Sequence, residues 1–69
     1  MNKLIEPVEI GRRLRELRGD VPRSVLCRKL GISYSGMEYY ETGKRIPPDY
    51  AKVKLANYFG KSVQEIFFE

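Results

Sequence analysis

The chain has 69 residues, 42% hydrophobic and 32% charged, a composition that indicates one folded domain with a thin core rather than a disordered segment. Its single Cys and lack of His exclude an internal disulfide framework, a Cys/His zinc site and the usual base of a Ser or Cys nucleophile, so we expect no enzymatic activity and no cofactor. The net charge of +4 is compatible with an anionic partner, and equally with a soluble domain that has no such partner. No apolar run approaches the ~18 residues of a membrane span, so we expect a cytoplasmic location without membrane association.

The first two predicted helices span residues 8–18 and about 22–30. The apolar stripe of the first helix consists of Ile10, Leu14 and Leu17. Four arginines lie mostly off that stripe: Arg12, Arg13, Arg15 and Arg18. The first three are interpreted as a solvated face, and Arg18 is the exception. Asp20 is predicted to cap the second helix, and Cys27 is interpreted as a small buried apolar residue beside Leu26 and Leu30.

The third predicted helix lies between Gly31 and Gly43, and Ser33 can cap its start. No Lys or Arg occurs in residues 34–41, although the chain is basic overall. Helical spacing gives an inward side made of Ser33, Gly36, Met37 and Tyr40. The outward side consists of Tyr34, Ser35, Glu38, Tyr39 and Thr42. Because Gly36 is unfavourable within a helix, we expect a neighbouring helix to approach closely there.

The remaining chain predicts a loop and two further helices. Residues 44–48 form the loop, because the double proline prevents a helix before about Pro48 or Asp49. A fourth helix then runs to Phe59, on the stripe Ala51, Leu55, Ala56 and Phe59. A fifth, short helix begins at the capping-box sequence Ser62–Glu65, with Val63, Ile66 and Phe67 inward. Helix-ending glycines are expected at Gly19, Gly31, Gly43 and Gly60. The sequence therefore predicts an all-α, compact five-helix domain without strands.

Two segments of the chain resemble the lambda-repressor-like (Xre/Cro type) helix-turn-helix family. They read LCRKLGISYSGMEYYETGKRIP at residues 26–47 and LANYFGKSVQEIF at residues 55–67. The matching positions are Leu26, Gly31, Ile32, Met37, Tyr40, Glu41 and Gly43. The resemblance extends over residues 8–67, and it implies one DNA-binding domain, residues 1–69, whose third helix enters the major groove.

The resemblance also implies roles for individual side chains. The residues expected to contact bases are Tyr34, Ser35, Glu38 and Tyr39. Those expected to contact phosphates are Arg23, Thr42, Lys44 and Arg45. A recognition helix without Lys or Arg is compatible with this division, because phosphate contacts supply most of the salt-sensitive affinity while base contacts discriminate sequence. Glu38 can accept from a cytosine amino group, or it can act by repelling phosphate.

Two structural expectations follow from the same resemblance. In the family an arginine near position 18 pairs with the glutamate at position 41, so we expect Arg18 and Glu41 to join the first and third helices. Phe68, beside the inward Phe67, is a candidate dimer contact, with packing on its own domain as the equal alternative.

The leading functional prediction is a transcriptional regulator, in particular a repressor, that binds a near-palindromic operator in double-stranded DNA as a homodimer. The alternative is an antirepressor-like or antitoxin-like module that binds a regulatory protein partner through Tyr34 and Tyr39. This alternative stays open because the predicted recognition face has no Arg, Asn or Gln, the side chains best suited to bidentate base contacts.

Overall fold

The structure is a computed structural model that describes residues 3–69, and it contains five α-helices. Their bounds are α1 Pro7–Arg18, α2 Arg23–Leu30, α3 Tyr34–Thr42, α4 Asp49–Phe59 and α5 Val63–Phe67. Within residues 3–69 there is no strand, only an isolated antiparallel bridge between Leu4 and Phe68. The predicted all-α fold with five short helices is therefore confirmed.

Local sequence signals account for most helix ends. The Ser33 hydroxyl accepts a hydrogen bond from the Gly36 amide at 3.0 Å, which starts α3, and Gly43 ends the helix in the left-handed conformation with φ of 81°. Ser62 and Glu65 form the reciprocal capping box predicted for α5. The expected cap of α2 is wrong, because Pro22 occupies the N-cap position and Asp20 lies two residues before it.

The core lies where the five helices meet. Its fully buried side chains are Ile10 and Leu14 of α1, Leu26 of α2, Met37 of α3, Leu55 of α4, and Ile66 and Phe67 of α5. Cys27 is buried beside them, as predicted. Each helix thus contributes residues of its predicted apolar side, and four other residues of those stripes are partly buried against this core: Leu17, Leu30, Phe59 and Val63. Ser33, which was predicted to lie on the inward side of α3, is exposed.

Gly11 of α1 packs directly against the main chain of α3. A Cβ atom at Gly11 would lie 2.7 Å from the carbonyl carbon of Glu41 and 3.0 Å from the carbonyl oxygen of Tyr40. The expectation of a close helix neighbour at Gly36 is wrong: a Cβ there would meet the Ser33 hydroxyl at 2.8 Å, within the same helix start. The glycine that allows α1 and α3 to touch is therefore in α1.

Arg13 ties α1 to the end of the chain. Its guanidinium donates to the carbonyl oxygens of Glu65 at 2.9 Å and Ile66 at 3.3 Å, just beyond which Phe68 pairs with Leu4. The interpretation of Arg13 as part of a solvated face is therefore wrong, because its guanidinium binds the main chain near the C-terminus. Only part of the set of α1 arginines, such as Arg12, is on the open surface.

Candidate nucleic-acid interface

Helix α3 has one buried face and one open face. Met37, Tyr40 and Glu41 are buried, and on the opposite side Tyr34 is 53% exposed. Ser35, Glu38 and Thr42 are exposed as well. The helix is therefore held firmly from within while it presents a short row of polar and aromatic side chains to the outside.

Glu41 anchors the inner face of α3 as a fully buried carboxylate. Arg18 of α1 donates to both of its oxygens, Nε to Oε2 at 2.7 Å and Nη2 to Oε1 at 2.9 Å. Arg23 of α2 donates to Oε1 from Nε at 3.0 Å. A buried carboxylate requires such partners because an unpaired buried charge is strongly unfavourable. This one carboxylate therefore joins α1, α2 and α3.

Further hydrogen bonds strengthen the same junction. Arg15 of α1 donates to the main-chain carbonyl of Glu41, and Arg18 Nη1 donates to the carbonyl of Val21 at 3.0 Å. Among residues 3–69, no buried side-chain nitrogen or oxygen lacks a hydrogen-bond partner. The junction is therefore fully satisfied and can fix the position of α3 relative to α1 and the α1–α2 turn.

At the far end of α3, two basic side chains surround Tyr39. Arg45 Cζ lies 5.1 Å from the centre of the Tyr39 ring, and Lys44 Nζ lies 5.9 Å from it, both within cation–π range. The amides of Lys44 and Arg45 both donate to the Tyr39 carbonyl, at 2.9 and 3.2 Å. Tyr39 is consequently half-buried beneath cations that were predicted to contact phosphate.

Thr42 and Glu38 complete the C-terminal half of the open face. The Thr42 hydroxyl donates to the Glu38 carbonyl at 2.9 Å, so its hydrogen is used within the helix while its oxygen remains able to accept. Glu38 itself is exposed on this face between Tyr34 and Tyr39. The predicted contact residues of α3 thus form one continuous surface, and Lys44 and Arg45 lie at its C-terminal edge.

Arg23 lies at the other edge of the surface, as the first residue of α2. The sequence predicts a phosphate contact for it, but the structure pairs its guanidinium with Glu41 and leaves the side chain only 20% exposed. The guanidinium also faces Tyr34, with Cζ 5.3 Å from the ring centre. The sequence resemblance gave no indication of this double contact.

Two buried groups on these helices favour their uncharged forms. Burial raises the pKa of the Cys27 thiol, and the negative charge of Glu41 adds to the effect. Burial also raises the pKa of the Tyr40 phenol, and the neighbouring Tyr50 phenol adds to it because two ionised phenols would repel each other. Both groups therefore remain neutral core residues near neutral pH and do not offer a reactive anion to the interface.

The comparison with known families agrees with this geometry. The model of a helix-turn-helix domain family matches residues 9–66, which is most of the chain. The protein belongs to this helix-turn-helix domain family. Membership is consistent with the lambda-repressor-like, Xre-type resemblance of α2, α3 and the terminal helices. A search of curated proteins found no match to the chain.

The helix-turn-helix family indicates a DNA-binding regulator and is typically non-enzymatic. In this family's arrangement α2 and α3 are the paired helices, and the corner between them contains Gly31 and Ile32. None of the helices in residues 3–69 has the length and apolar character needed to cross a membrane.

Proposed function

We propose that this helix-turn-helix protein is a sequence-specific regulator of transcription, in particular a repressor, that inserts α3 into the major groove of DNA. The observation that carries the proposal is the two-sided character of α3. Its inner face is fixed through buried Met37 and Glu41, while its outer face is open and ends at Lys44 and Arg45. A recognition helix needs both properties, because base contacts require a rigid helix and a free face.

The proposed contacts divide between bases and phosphates. Tyr34, Ser35, Glu38 and Tyr39 are the proposed base-contacting residues, through hydroxyl, aromatic and carboxylate groups. Thr42, Lys44 and Arg45 are the proposed phosphate-contacting residues at the end of α3. Thymine methyl groups and water-mediated hydrogen bonds suit such a face better than bidentate contacts to guanine or adenine.

A dimer is part of the proposal, because one domain of this size contacts few base pairs. Two copies would place their α3 helices about 34 Å apart on a near-palindromic site. Phe68 is the proposed self-association contact. It is partly buried against its own core and borders a shallow groove with Val53 and Val63, so a portion of its ring is available to a second copy.

Selection of bound fragments from random double-stranded DNA tests the whole proposal. The expected result is enrichment of an inverted repeat whose half-sites are centred about one helical turn apart. Enrichment of a single half-site would support DNA recognition and contradict the dimer. If no motif is enriched, sequence-specific DNA binding is wrong.

Removing the two cations at the end of α3 tests the phosphate contacts. The variant Lys44→Ala/Arg45→Ala should bind all sequences more weakly, and the slope of log K against log salt should become shallower by about 0.9 for each phosphate that the variant no longer neutralises. Lys61→Ala is the matched control, because Lys61 is also an exposed basic residue but lies in the α4–α5 connection, outside the proposed interface. An equal decrease in salt dependence in the control would contradict a specific role for residues 44 and 45.

Tyr39 tests base recognition. Tyr39→Ala should relax the preference at its base pair, with a loss of about 1–3 kcal/mol of discrimination for one good contact. Tyr39→Phe is the informative control, because it keeps the ring on which Lys44 and Arg45 lie and removes only the hydroxyl. Uniformly weaker binding by Tyr39→Ala, with the sequence preference intact, would assign Tyr39 to cation positioning instead.

A second candidate function is binding of a protein partner through the same face. The observation that favours it is the exposure of Tyr34 on a helix without a cation of its own, since tyrosines are common in protein hot spots. If this function is right, the Lys44→Ala/Arg45→Ala and Tyr39→Ala variants should leave binding to genomic DNA fragments unchanged.

A further inference from the structure

Arg23 occupies a position between a buried carboxylate and an exposed aromatic ring. On one side its Nη2 lies 2.9 Å from Glu41 Oε1, and its Nε donates to the same oxygen. On the other side Cζ lies 5.3 Å from the ring centre of Tyr34, and Nη1 is 3.5 Å from the Tyr34 hydroxyl. One planar guanidinium therefore links the interior of the helix-turn-helix to the first residue of α3.

These contacts compete with an outward role for Arg23. Nε and Nη2 are both directed at Glu41 Oε1, so Nη1 alone remains on the outer side, over Tyr34. Turning the whole guanidinium toward a phosphate would take two donors from a fully buried carboxylate oxygen that, among residues 3–69, accepts otherwise from Arg18. It would also remove the cation from Tyr34. Arg45 provides the contrast, because it is exposed and can stay near Tyr39 while it turns toward a phosphate.

The Tyr34 ring needs a fixed neighbour such as the Arg23 guanidinium if it is to contact a base in one defined orientation. It is the first residue of α3 and 53% exposed, so its own packing restricts the ring little. A guanidinium held by a buried carboxylate is a fixed platform, and a ring resting on it loses less freedom when it meets a base. Such preorganisation improves discrimination without any contact between the platform and DNA.

We propose that Arg23 is a positioning residue: Glu41 fixes its guanidinium, and the guanidinium fixes the Tyr34 ring for base recognition. The proposal rests on the proposed DNA-binding function and deepens it. Under this proposal Arg23 influences which DNA sequence is preferred, and it does not contribute to the salt dependence of the affinity. It also gives each end of the recognition surface its own tyrosine–cation pair, Arg23 with Tyr34 and Arg45 with Tyr39.

The test is a double-mutant cycle read by selection from random DNA and by salt titration. Tyr34→Ala should relax the preference at one position of the selected motif by about fivefold or more. Arg23→Gln should relax the same position, and the double variant should relax it no further than Tyr34→Ala does. The salt slope of Arg23→Gln should match the wild type, while that of Arg45→Ala should be shallower by about 0.9.

Arg23→Lys separates positioning from a purely structural role. Lysine keeps a positive charge for Glu41 but lacks the flat guanidinium that lies over Tyr34. Thermal unfolding should show that Arg23→Lys recovers most of the stability that Arg23→Gln loses, while the preference at the Tyr34 position stays relaxed. In the unbound protein, NMR should show contacts between the Arg23 side chain and the Tyr34 ring in the wild type only.

Several outcomes would overturn the role. If Arg23→Gln keeps the motif and its salt slope is shallower by about one unit, Arg23 contacts phosphate. If Tyr34→Ala changes no position, or if Arg23→Lys restores both stability and preference, the guanidinium does not position a base-reading ring. If the wild type enriches no motif, the DNA-binding proposal itself fails, and this role fails with it.

Discussion

Two groups of arginine and glutamate side chains in this protein have similarly short contacts and very different surroundings. On the surface of α1, Arg12 lies 2.5 Å from Glu9 and 2.6 Å from Glu16, and all three side chains are at least 37% exposed. At the α1–α2–α3 junction, Arg18 and Arg23 lie 2.7 and 2.9 Å from Glu41, whose side chain is fully buried.

The comparison teaches that burial, and not distance, decides what these pairs do. When an exposed pair forms, each side chain gives up contacts with water, so the pair adds little to the free energy of unfolding. Salt screens the remaining attraction. Water cannot replace the buried carboxylate, so its removal or neutralisation leaves two guanidinium groups without their partner. The exposed Glu9–Arg12–Glu16 cluster connects residues of α1 only, whereas the buried Arg18–Glu41–Arg23 cluster sets the position of α3.

Glu41→Gln should have the largest effect on stability. The glutamine is nearly the same shape, but it cannot neutralise Arg18 and Arg23, so we expect a loss of about 3–5 kcal/mol in the free energy of unfolding. For a domain of this size that loss is a large part of the total, and partial unfolding at room temperature is expected. Urea unfolding followed by circular dichroism measures it. Glu16→Gln is the exposed control, and an equal loss in both variants would contradict the comparison.

Gly11→Ala tests whether close packing contributes to the same junction independently of charge. The added methyl group would meet the main chain of Glu41, which cannot rotate away as a side chain could. We expect a loss of about 1–3 kcal/mol from overpacking, even though alanine is favoured over glycine within a helix. A more stable Gly11→Ala protein in the same unfolding experiment would show that α1 and α3 can separate at little cost.

Gly11 also shows where sequence reasoning stops. The ends of α3 were predictable because Ser33 and Gly43 are local signals with a known geometry. The choice between two glycines inside helices was not, because the crossing of α1 over α3 decides which one faces a neighbouring backbone. The sequence therefore predicts a close approach at Gly36, whereas the structure has it at Gly11.

The candidate site divides in the same way. The Arg18–Glu41 pair was expected from the family resemblance, and the geometry contains it. The second pairing of Glu41, with Arg23, was missed, because sequence position alone does not tell whether an arginine at the start of α2 turns inward or outward. Only the burial of Glu41, which the structure supplies, points to a second partner, because a buried carboxylate offers more acceptor sites than one arginine fills.

Ser33→Ala lies between the two extremes of the comparison. Ser33 is exposed, yet its hydroxyl satisfies the Gly36 amide at the start of α3. Loss of such a cap costs about 1 kcal/mol, and part of it should appear as fraying of the first turn, which contains Tyr34 and Ser35. Hydrogen exchange of the Gly36 amide measures the fraying directly. Ser33→Asp should retain the cap, so faster exchange in that variant would exclude capping as the cause.

The smallest effect is expected for Glu9→Gln in the surface cluster. At neutral pH its unfolding midpoint should change less than that of Ser33→Ala, because the pairs it breaks are exposed and screened. The hydrogen bond from Arg12 nevertheless holds the pKa of Glu9 to about 2, against some opposing desolvation and with help from Arg13. A carboxyl group with a lowered pKa in the folded state contributes stability at neutral pH and loses it as the pH falls from its ordinary value near 4.5 toward 2.

Measuring the stability of wild type and Glu9→Gln as the pH is lowered therefore tests the difference between exposed and buried pairs more sharply than a measurement at neutral pH. The small difference between wild type and Glu9→Gln should disappear on acidification over that window, and a salt concentration of about 1 M should reduce it at every pH. Arg12→Gln separates the ion pair from the favourable position of Glu9 in the first turn of α1, because it removes the partner and leaves the carboxylate near the helix N-terminus. If Glu9→Gln destabilised the protein as much as Glu41→Gln, and salt did not reduce the loss, short distance rather than burial would be the deciding quantity.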